Sequence, residues 1–381
     1  MKFKKTIPYS RQSISNSDIL AVNKVLKSDY LTQGNFVFNL EEKINKLLKS
    51  KYSILTNSGT SALHLSCLSL NLKKNDIVWT VPNTFAATVN APLLCGAKID
   101  FVDIELDTFN ICIKSLEKKL LLEVPKLLIV VHFAGLSPDM KKINFLSKKY
   151  KFRVIEDASH SFGGKYRNKL IGNCKYSDIS TFSFHPVKTV TSAEGGLITT
   201  NSRSIYQKIK LYREHGVFRK TIKRYNGYDQ KDIGFNYRMS NLHAALLKSQ
   251  IKKLKVFLKK REVIKRLYDK EFKNFQILKQ KKSVYSVSTN HLYVIVVKKF
   301  KKNINRDKFI NLLKKKHNIY STLHYPALNQ QFYFKKKSFS NLKNSNYYSS
   351  KALSLPIYPD LSKKNLKKIF KIFKTYLVKN D

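Results

Sequence analysis

Cysteine, acidic side chains and long apolar runs are all scarce in this 381-residue chain. Its four cysteines, Cys67, Cys95, Cys112 and Cys174, are scattered and form no Cys-x-x-Cys pair. That argues against a disulfide scaffold and a zinc site, and it suits a reducing cytoplasm. The best apolar run, Leu127 to Val131, has the length of a strand and is far too short to span a membrane. The opening Met-Lys-Phe-Lys-Lys-Thr-Ile-Pro has no apolar stretch of signal-sequence length, so a soluble, cytoplasmic protein is expected.

Asp and Glu total only 25 against 73 Lys and Arg, a formal net charge of +48. Such a charge would suit a polyanionic partner. Lysine supplies nearly all of the excess, however, and it is spread from end to end, mostly on helices that need a solvated face. A nucleic-acid binder would gather Arg and Lys with aromatics into one patch. The charge therefore reads as compositional bias, with no nucleic acid and no membrane among the expected partners. Hydrophobic content of 43%, with 24 Phe and 21 Tyr, excludes intrinsic disorder.

Short apolar strands alternate with amphipathic helices from about residue 40 to 250, the pattern of an α/β sheet. Seven strands are expected: 52–56, 76–81, 98–102, 127–132, 153–157, 179–184 and 197–200. Helices are expected over 61–70, 85–94, 140–150 and 204–213. Strand Leu127–Val131 is apolar without alternation, as when helices cover both faces of a mostly parallel sheet. A lysine-rich helix from Ile251 to Phe272 then opens a smaller α/β unit with a strand near 290–297 and helices near 306–316 and 363–378. The expected division is a large domain over residues 1–250 and a small one over 251–381.

Chemistry concentrates in four places. Thr56-Asn-Ser-Gly-Thr-Ser61 follows a strand and opens a helix, so the amides around Gly59, Thr60 and Ser61 form a phosphate cradle or an ordinary N-cap. Phe85 begins a helix after a strand, where a flat ring stacks on a planar ligand or joins the core. Asp157 ends an apolar strand at the sheet's carboxyl edge, where open α/β sheets bind ligands, and His160 follows three residues later. Lys188 closes Phe182-Ser-Phe-His-Pro-Val-Lys188, with Ser183 and His185 beside it and Gly195-Gly196 after it. A lysine able to form a Schiff base and an aspartate able to hold a pyridinium proton are the minimum equipment of a pyridoxal-phosphate enzyme.

Taken in order, these motifs resemble the sugar aminotransferase family of fold-type I pyridoxal-phosphate enzymes. Ile7-Pro-Tyr-Ser-Arg-Gln-Ser-Ile-Ser15, Tyr30-Leu-Thr-Gln-Gly34, Phe133-Ala-Gly135, Asp157-Ala-Ser-His160, Asn236-Tyr-Arg-Met239, His291-Leu-Tyr-Val294, His324-Tyr-Pro326 and Ala352-Leu-Ser-Leu-Pro-Ile-Tyr358 extend the similarity nearly end to end. They resemble most the branch that aminates C4 of a UDP-linked 4-keto-6-deoxy-N-acetyl hexose from L-glutamate, on the route to pseudaminic acid. The resemblance implies that Lys188 carries the Schiff base and Asp157 pairs with the pyridine nitrogen. It implies that Phe85 stacks on the ring and that Thr60, Ser61 and Ser183 hold the phosphate. By the same resemblance Asn236 reaches the phosphate in a neighbouring subunit, making the active sites of a homodimer shared, with Arg238 close by. Tyr9, His185, His324 and Tyr325 are the remaining candidates for sugar-nucleotide contacts.

Other readings compete. A dehydratase of the same family would lack the Schiff-base lysine, which Lys188 supplies here. A transaminase for a dTDP-linked or another UDP-linked keto sugar would differ in pocket shape alone. A non-catalytic polyanion binder would show steep salt dependence and no visible chromophore.

Overall fold

The computed structural model describes residues 6–219, 228–301, 304–339 and 341–380. Helices α1 (Asn16–Leu26) and α2 (Asn35–Leu48) precede strand β1 (Tyr52–Thr56). Alternation then begins with α3 (Gly59–Ser69), β2 (Ile77–Thr80), α4 (Ala87–Leu94) and β3 (Lys98–Phe101). It continues through α5 (Ile113–Leu120), β4 (Leu127–Val131), α6 (Met140–Tyr150) and β5 (Arg153–Asp157). A short hairpin, β6 (Lys165–Tyr166) and β7 (Lys169–Leu170), leads to β8 (Ile179–Ser183), β9 (Gly196–Thr200) and α7 (Arg203–Arg213).

Seven strands form one sheet in the order β1-β9-β8-β5-β4-β2-β3. Only β9 runs against its neighbours, β1 and β8; the other pairings are parallel. This is the large, mostly parallel sheet expected from the strand pattern. Every residue of β4 is buried. Leu128 and Val130 enter one apolar core while Leu127 and Ile129 enter the other, because successive side chains leave opposite faces. The parallel direction brings Thr56, Asp157 and Ser183 out at a single edge, and Gly196 pairs with both Thr56 and Ser183.

Beyond the hairpin of β10 (Val217–Arg219) and β11 (Tyr228–Gln230) come α8 (Asn241–Lys252) and α9 (Leu254–Glu271). The helix expected to run from Ile251 to Phe272 is therefore divided at Lys253, whose amine pairs with the buried Asp18 carboxylate of α1. Strands β12 (Ile277–Lys279), β13 (Ser286–Val287) and β14 (Tyr293–Val297) follow, then α10 (Arg306–His317), α11 (Lys343–Lys351), β15 (Ala352–Leu355) and α12 (Lys363–Tyr376).

β12, β14 and β15 make an antiparallel sheet over a third core that contains Tyr268, Phe272, Ile295, Phe309 and Phe373. The chain's beginning returns to this core: Ile7 is buried in it and bridges to Ile319. No helix among the described residues is long and apolar enough to cross a membrane.

Candidate active site

Strand β1 hands the chain to α3 through Ser58, whose Oγ accepts the Ser61 N–H at 3.0 Å. The Ser61 hydroxyl donates to Asn57 Oδ1 at 2.5 Å and lies 2.7 Å from Ser58 Oγ. Ser61 is thus spent on the turn itself and does not reach the cavity described below. The Gly59 and Thr60 amides, one turn from any intrahelical acceptor, stay available at the positive end of the helix. Two glycines allow the close approach. A Cβ on Gly59 would lie 2.8 Å from Ser183 Cβ, and one on Gly196 would lie 2.2 Å from the Ser58 carbonyl oxygen.

At this edge lies a cavity of about 530 Å³, lined among others by Gly59, Thr60, Phe85, Asp157, Ser183 and Lys188. Asp157 is buried at its floor and held from two sides. Thr88 Oγ1 donates to Oδ2 at 2.7 Å, while the Ser159 hydroxyl and amide donate to Oδ1 at 2.6 and 3.2 Å. Thr84 Oγ1 stands 2.7 Å from Thr88 Oγ1 and supplies the next proton in that chain. Lys188 is half-buried. Burial pushes its amine down to about 8, against the opposing pull of the Asp157 charge. Phe85 lines the cavity and is 60% exposed there, leaving a ring face free for a flat ligand.

The opposite wall is built from distant parts of the chain. His160 Nε2 lies 3.0 Å from Tyr325 Oη, and the His160 ring sits 4.4 Å from the ring of His291. Tyr9 packs on His324 with ring centroids 4.9 Å apart, and His324 Nδ1 contacts Ser354 Oγ at 2.8 Å. Burial, reinforced by the nearby Lys188 charge, pushes His324 down to about 3. Burial also lowers His160 and His291 well below the usual histidine value, with added repulsion from neighbouring cationic groups. All three imidazoles are therefore neutral at physiological pH. Burial raises the Tyr9 and Tyr325 phenols, so both stay protonated donors.

His185 lines the same cavity, 3.9 Å from Glu194 Oε1. Asn236 and Arg238 do not line it. Tyr237 O accepts from the Asn57 amide at 2.9 Å and Asn236 O from the Asn57 side chain at 3.2 Å, which puts both residues behind the α3 turn. Arg238 instead borders a separate cavity with Glu214, His215 and Gln230. Sequence reasoning passed over Thr88, Ser159, Glu194 and His291. Ser159 stood within a motif already singled out, between Asp157 and His160, and Thr88 lies one helical turn after Phe85. His291 opens one of the motifs that carry the resemblance but was given no role there, and Glu194 carried no local signal that separates it from loop residues.

Residues 12–374 match the DegT/DnrJ/EryC1/StrS aminotransferase family. The chain belongs to that family. It is 40% identical over 365 residues to a Campylobacter jejuni UDP-4-amino-4,6-dideoxy-N-acetyl-beta-L-altrosamine transaminase, covering 95% of each chain. Its fold superposes with a TM-score of 0.87 on Helicobacter pylori PseC, an aminotransferase involved in the biosynthesis of pseudoaminic acid. That pair is 32% identical, over 97% of this chain and 99% of the other. A putative sugar aminotransferase from Streptococcus pneumoniae, solved in its PLP-form, gives a TM-score of 0.87 at 26% identity, over 97% of this chain and 98% of that one. The fold is accordingly that of the fold-type I transferases, and the protein is an aminotransferase-family enzyme.

Proposed function

We propose that this protein is a cytoplasmic, pyridoxal-phosphate-dependent transaminase that passes an amino group from L-glutamate to C4 of a UDP-linked 4-keto-6-deoxy-N-acetyl hexose. The observation that carries this reading is the meeting of Lys188 and a doubly anchored Asp157 in one cavity. The names of the Campylobacter and Helicobacter relatives support the choice of sugar.

The cavity residues fit the cofactor. Gly59, Thr60 and Ser183 present amide and hydroxyl donors where a phosphate would sit, and an added Cβ at Gly59 would close that space. Phe85 offers a free ring face, and Asp157 offers a fixed acceptor for a ring nitrogen. When bound, the cofactor supplies an electron sink that makes the proton on the amine-bearing carbon removable.

This chain's own residues do the rest. With its amine near 8, roughly a quarter of Lys188 is neutral at pH 7.5, against about one in a thousand for an ordinary lysine. Lys188 is thus a nucleophile and proton acceptor under mild conditions. His160, held by Tyr325, presents an uncharged imidazole beside it and leaves Asp157 as the charge partner of the site.

A sugar nucleotide and L-glutamate are both anionic, yet among the described residues Lys188 is the only lysine or arginine lining the cavity within one chain. We assign the missing cations and amides to a second copy, whose Asn236 and Arg238 would complete the site. Ile19, Leu20, Leu26, Tyr30 and Phe38, exposed along α1, α2 and the turn between them, provide an apolar face for such a homodimer.

Purified protein mixed with pyridoxal phosphate should gain a visible absorption band, which L-glutamate should discharge with release of one 2-oxoglutarate per site. Borohydride treatment before glutamate should leave the label on the Lys188 peptide. Absence of both the band and the label would overturn the reading. UDP- and dTDP-linked 4-keto sugars then decide the acceptor by their kcat/KM ratio. Mixed Lys188→Ala and Asn236→Ala chains should recover partial activity, and verified heterodimers without recovery would refute site sharing.

A further inference from the structure

Arg261 lies in the lysine-rich stretch of α9, yet it is buried to 1% exposure and faces no carboxylate among the described residues. The contrast with Arg213 is direct, since that buried guanidinium is paired with both Glu41 and Glu214. Withdrawing a guanidinium from water without a counter-charge costs several kcal/mol, which only a demanding set of acceptors can offset. Arg261 Nη1 donates to Ile357 O at 2.9 Å and His291 O at 3.1 Å, with Asn290 O at 3.5 Å. One of the two closest carbonyls belongs to a cavity-lining residue, and the other to a residue bonded to one. His291 itself lines the cavity. The Ile357 amide donates to the Tyr9 carbonyl at 3.0 Å, and Tyr9 lines the cavity too.

The same strap is pinned from its other side. Thr289 Oγ1 donates to His160 O at 2.6 Å, and the amides of Thr289 and His291 donate to Gly135 O and Ala134 O at 3.2 and 3.0 Å. Gly135 is held at φ +97, and a Cβ there would fall 2.0 Å from Thr289 Oγ1, so the crossing tolerates no larger residue. Between these pins the His291 ring is set against His160, and the buried Nδ1 atoms of both rings lack hydrogen-bond partners among the described residues. The His160 imidazole is therefore fixed by its Nε2 contact with Tyr325 on one edge and by the His291 ring, set by the backbone on either side, on its face.

We propose that Arg261, although it touches neither cofactor nor substrate, is a positioning residue that sets the second wall of the cavity by holding the 289–291 strap and the Tyr9 segment together. Its action passes through His291 to His160. The cofactor side of this proposal rests on the function proposed above, whereas the packing side does not.

The test is a double-mutant cycle between Arg261→Lys and His291→Asn. Lysine keeps the positive charge but cannot reach both close carbonyls from one planar group. Pyridoxal phosphate affinity, titrated by visible absorbance, should fall about tenfold in each single variant. In the double variant it should fall no further than in the weaker single one. Losses that multiply to about a hundredfold would show that Arg261 acts independently of His291 and overturn the proposal.

Histidine-labelled NMR spectra of the cofactor-free protein give the second readout. The His160 and His291 ring signals should move in Arg261→Lys, and unmoved signals would also overturn it. Should wild-type protein fail to bind pyridoxal phosphate, the proposed function falls, while the NMR comparison still decides the role of Arg261. If Arg261→Lys does not fold, Thr289→Val cuts the same strap at the His160 carbonyl and takes its place in both measurements. Histidine signals and affinity unchanged by that variant would count against the strap as a whole.

Discussion

The two walls of the cavity are built in different ways. One wall consists of sheet-edge turns: residues 58–60 after β1, 85–88 before and in α4, 157–159 from the end of β5 and 183–188 from the end of β8. Each is placed by the strand or helix next to it, and hydrogen bonds such as Thr88 to Asp157 tie neighbouring turns together. The other wall combines Tyr9, His291 and residues 322–325, drawn from three separate regions of the chain and held by packing, aromatic contacts and one buried guanidinium. The first wall carries charge, with Lys188 and Asp157. The second carries neutral imidazoles and phenols. In the proposed function the chemistry falls to the wall set by secondary structure, and recognition to the wall set by tertiary contacts.

If the walls differ in this way, changes to the first should cost far more than changes to the second. Lys188→Ala should lower turnover at least about 1000-fold, with cofactor retained only non-covalently, as read by borohydride labelling and steady-state assay. Asp157→Asn should cost roughly 100- to 1000-fold in kcat, because the acceptor that opposes the ring nitrogen loses its charge. Thr88→Val removes one charged hydrogen bond to that carboxylate and should cost roughly tenfold, mostly in kcat.

A pH series sharpens the point about Lys188. Only the neutral amine attacks, so the initial rate of pyridoxal phosphate capture should rise through about 8, gaining roughly fivefold between pH 7 and 8. An ordinary surface lysine would show a tenfold rise over the same interval and no plateau by pH 9.5. Tyr325→Phe, on the second wall, should cost only about threefold, expressed in KM more than in kcat. A loss at Tyr325 as large as that at Asp157 would erase the distinction between the walls.

Much of the first wall was legible because its rules are local. A strand followed by Ser-Gly-Thr and a helix leaves unpaired amides at the helix start, and a carboxylate ending an apolar strand emerges at the sheet's carboxyl edge. Ser61 faces the turn for an equally local reason: its hydroxyl donates to Asn57 Oδ1 and its amide to Ser58 Oγ.

The lysine-dense stretch around Arg261 looked like a solvated helix. The spacing of Phe257, Arg261, Ile264 and Tyr268 puts all four on one buried face, but charge content masked that periodicity. Asn236 and Arg238 illustrate the other limit. They fall outside their own chain's cavity, and no pattern within one chain states which copy they would serve.

By itself, the order of residues determined the α/β class, the mostly parallel sheet and the candidate Lys188 and Asp157, since period, strand polarity and helix-end electrostatics act over a few residues. Only the tertiary structure decided that Thr88 and Ser159 hold the carboxylate, that His291 packs on His160, and that a buried Arg261 bonds the carbonyls of both His291 and Ile357. Those contacts connect residues far apart in the chain. Their energies depend on burial, which withdraws water from Lys188 and the histidines and so makes ordinary side chains reactive or neutral.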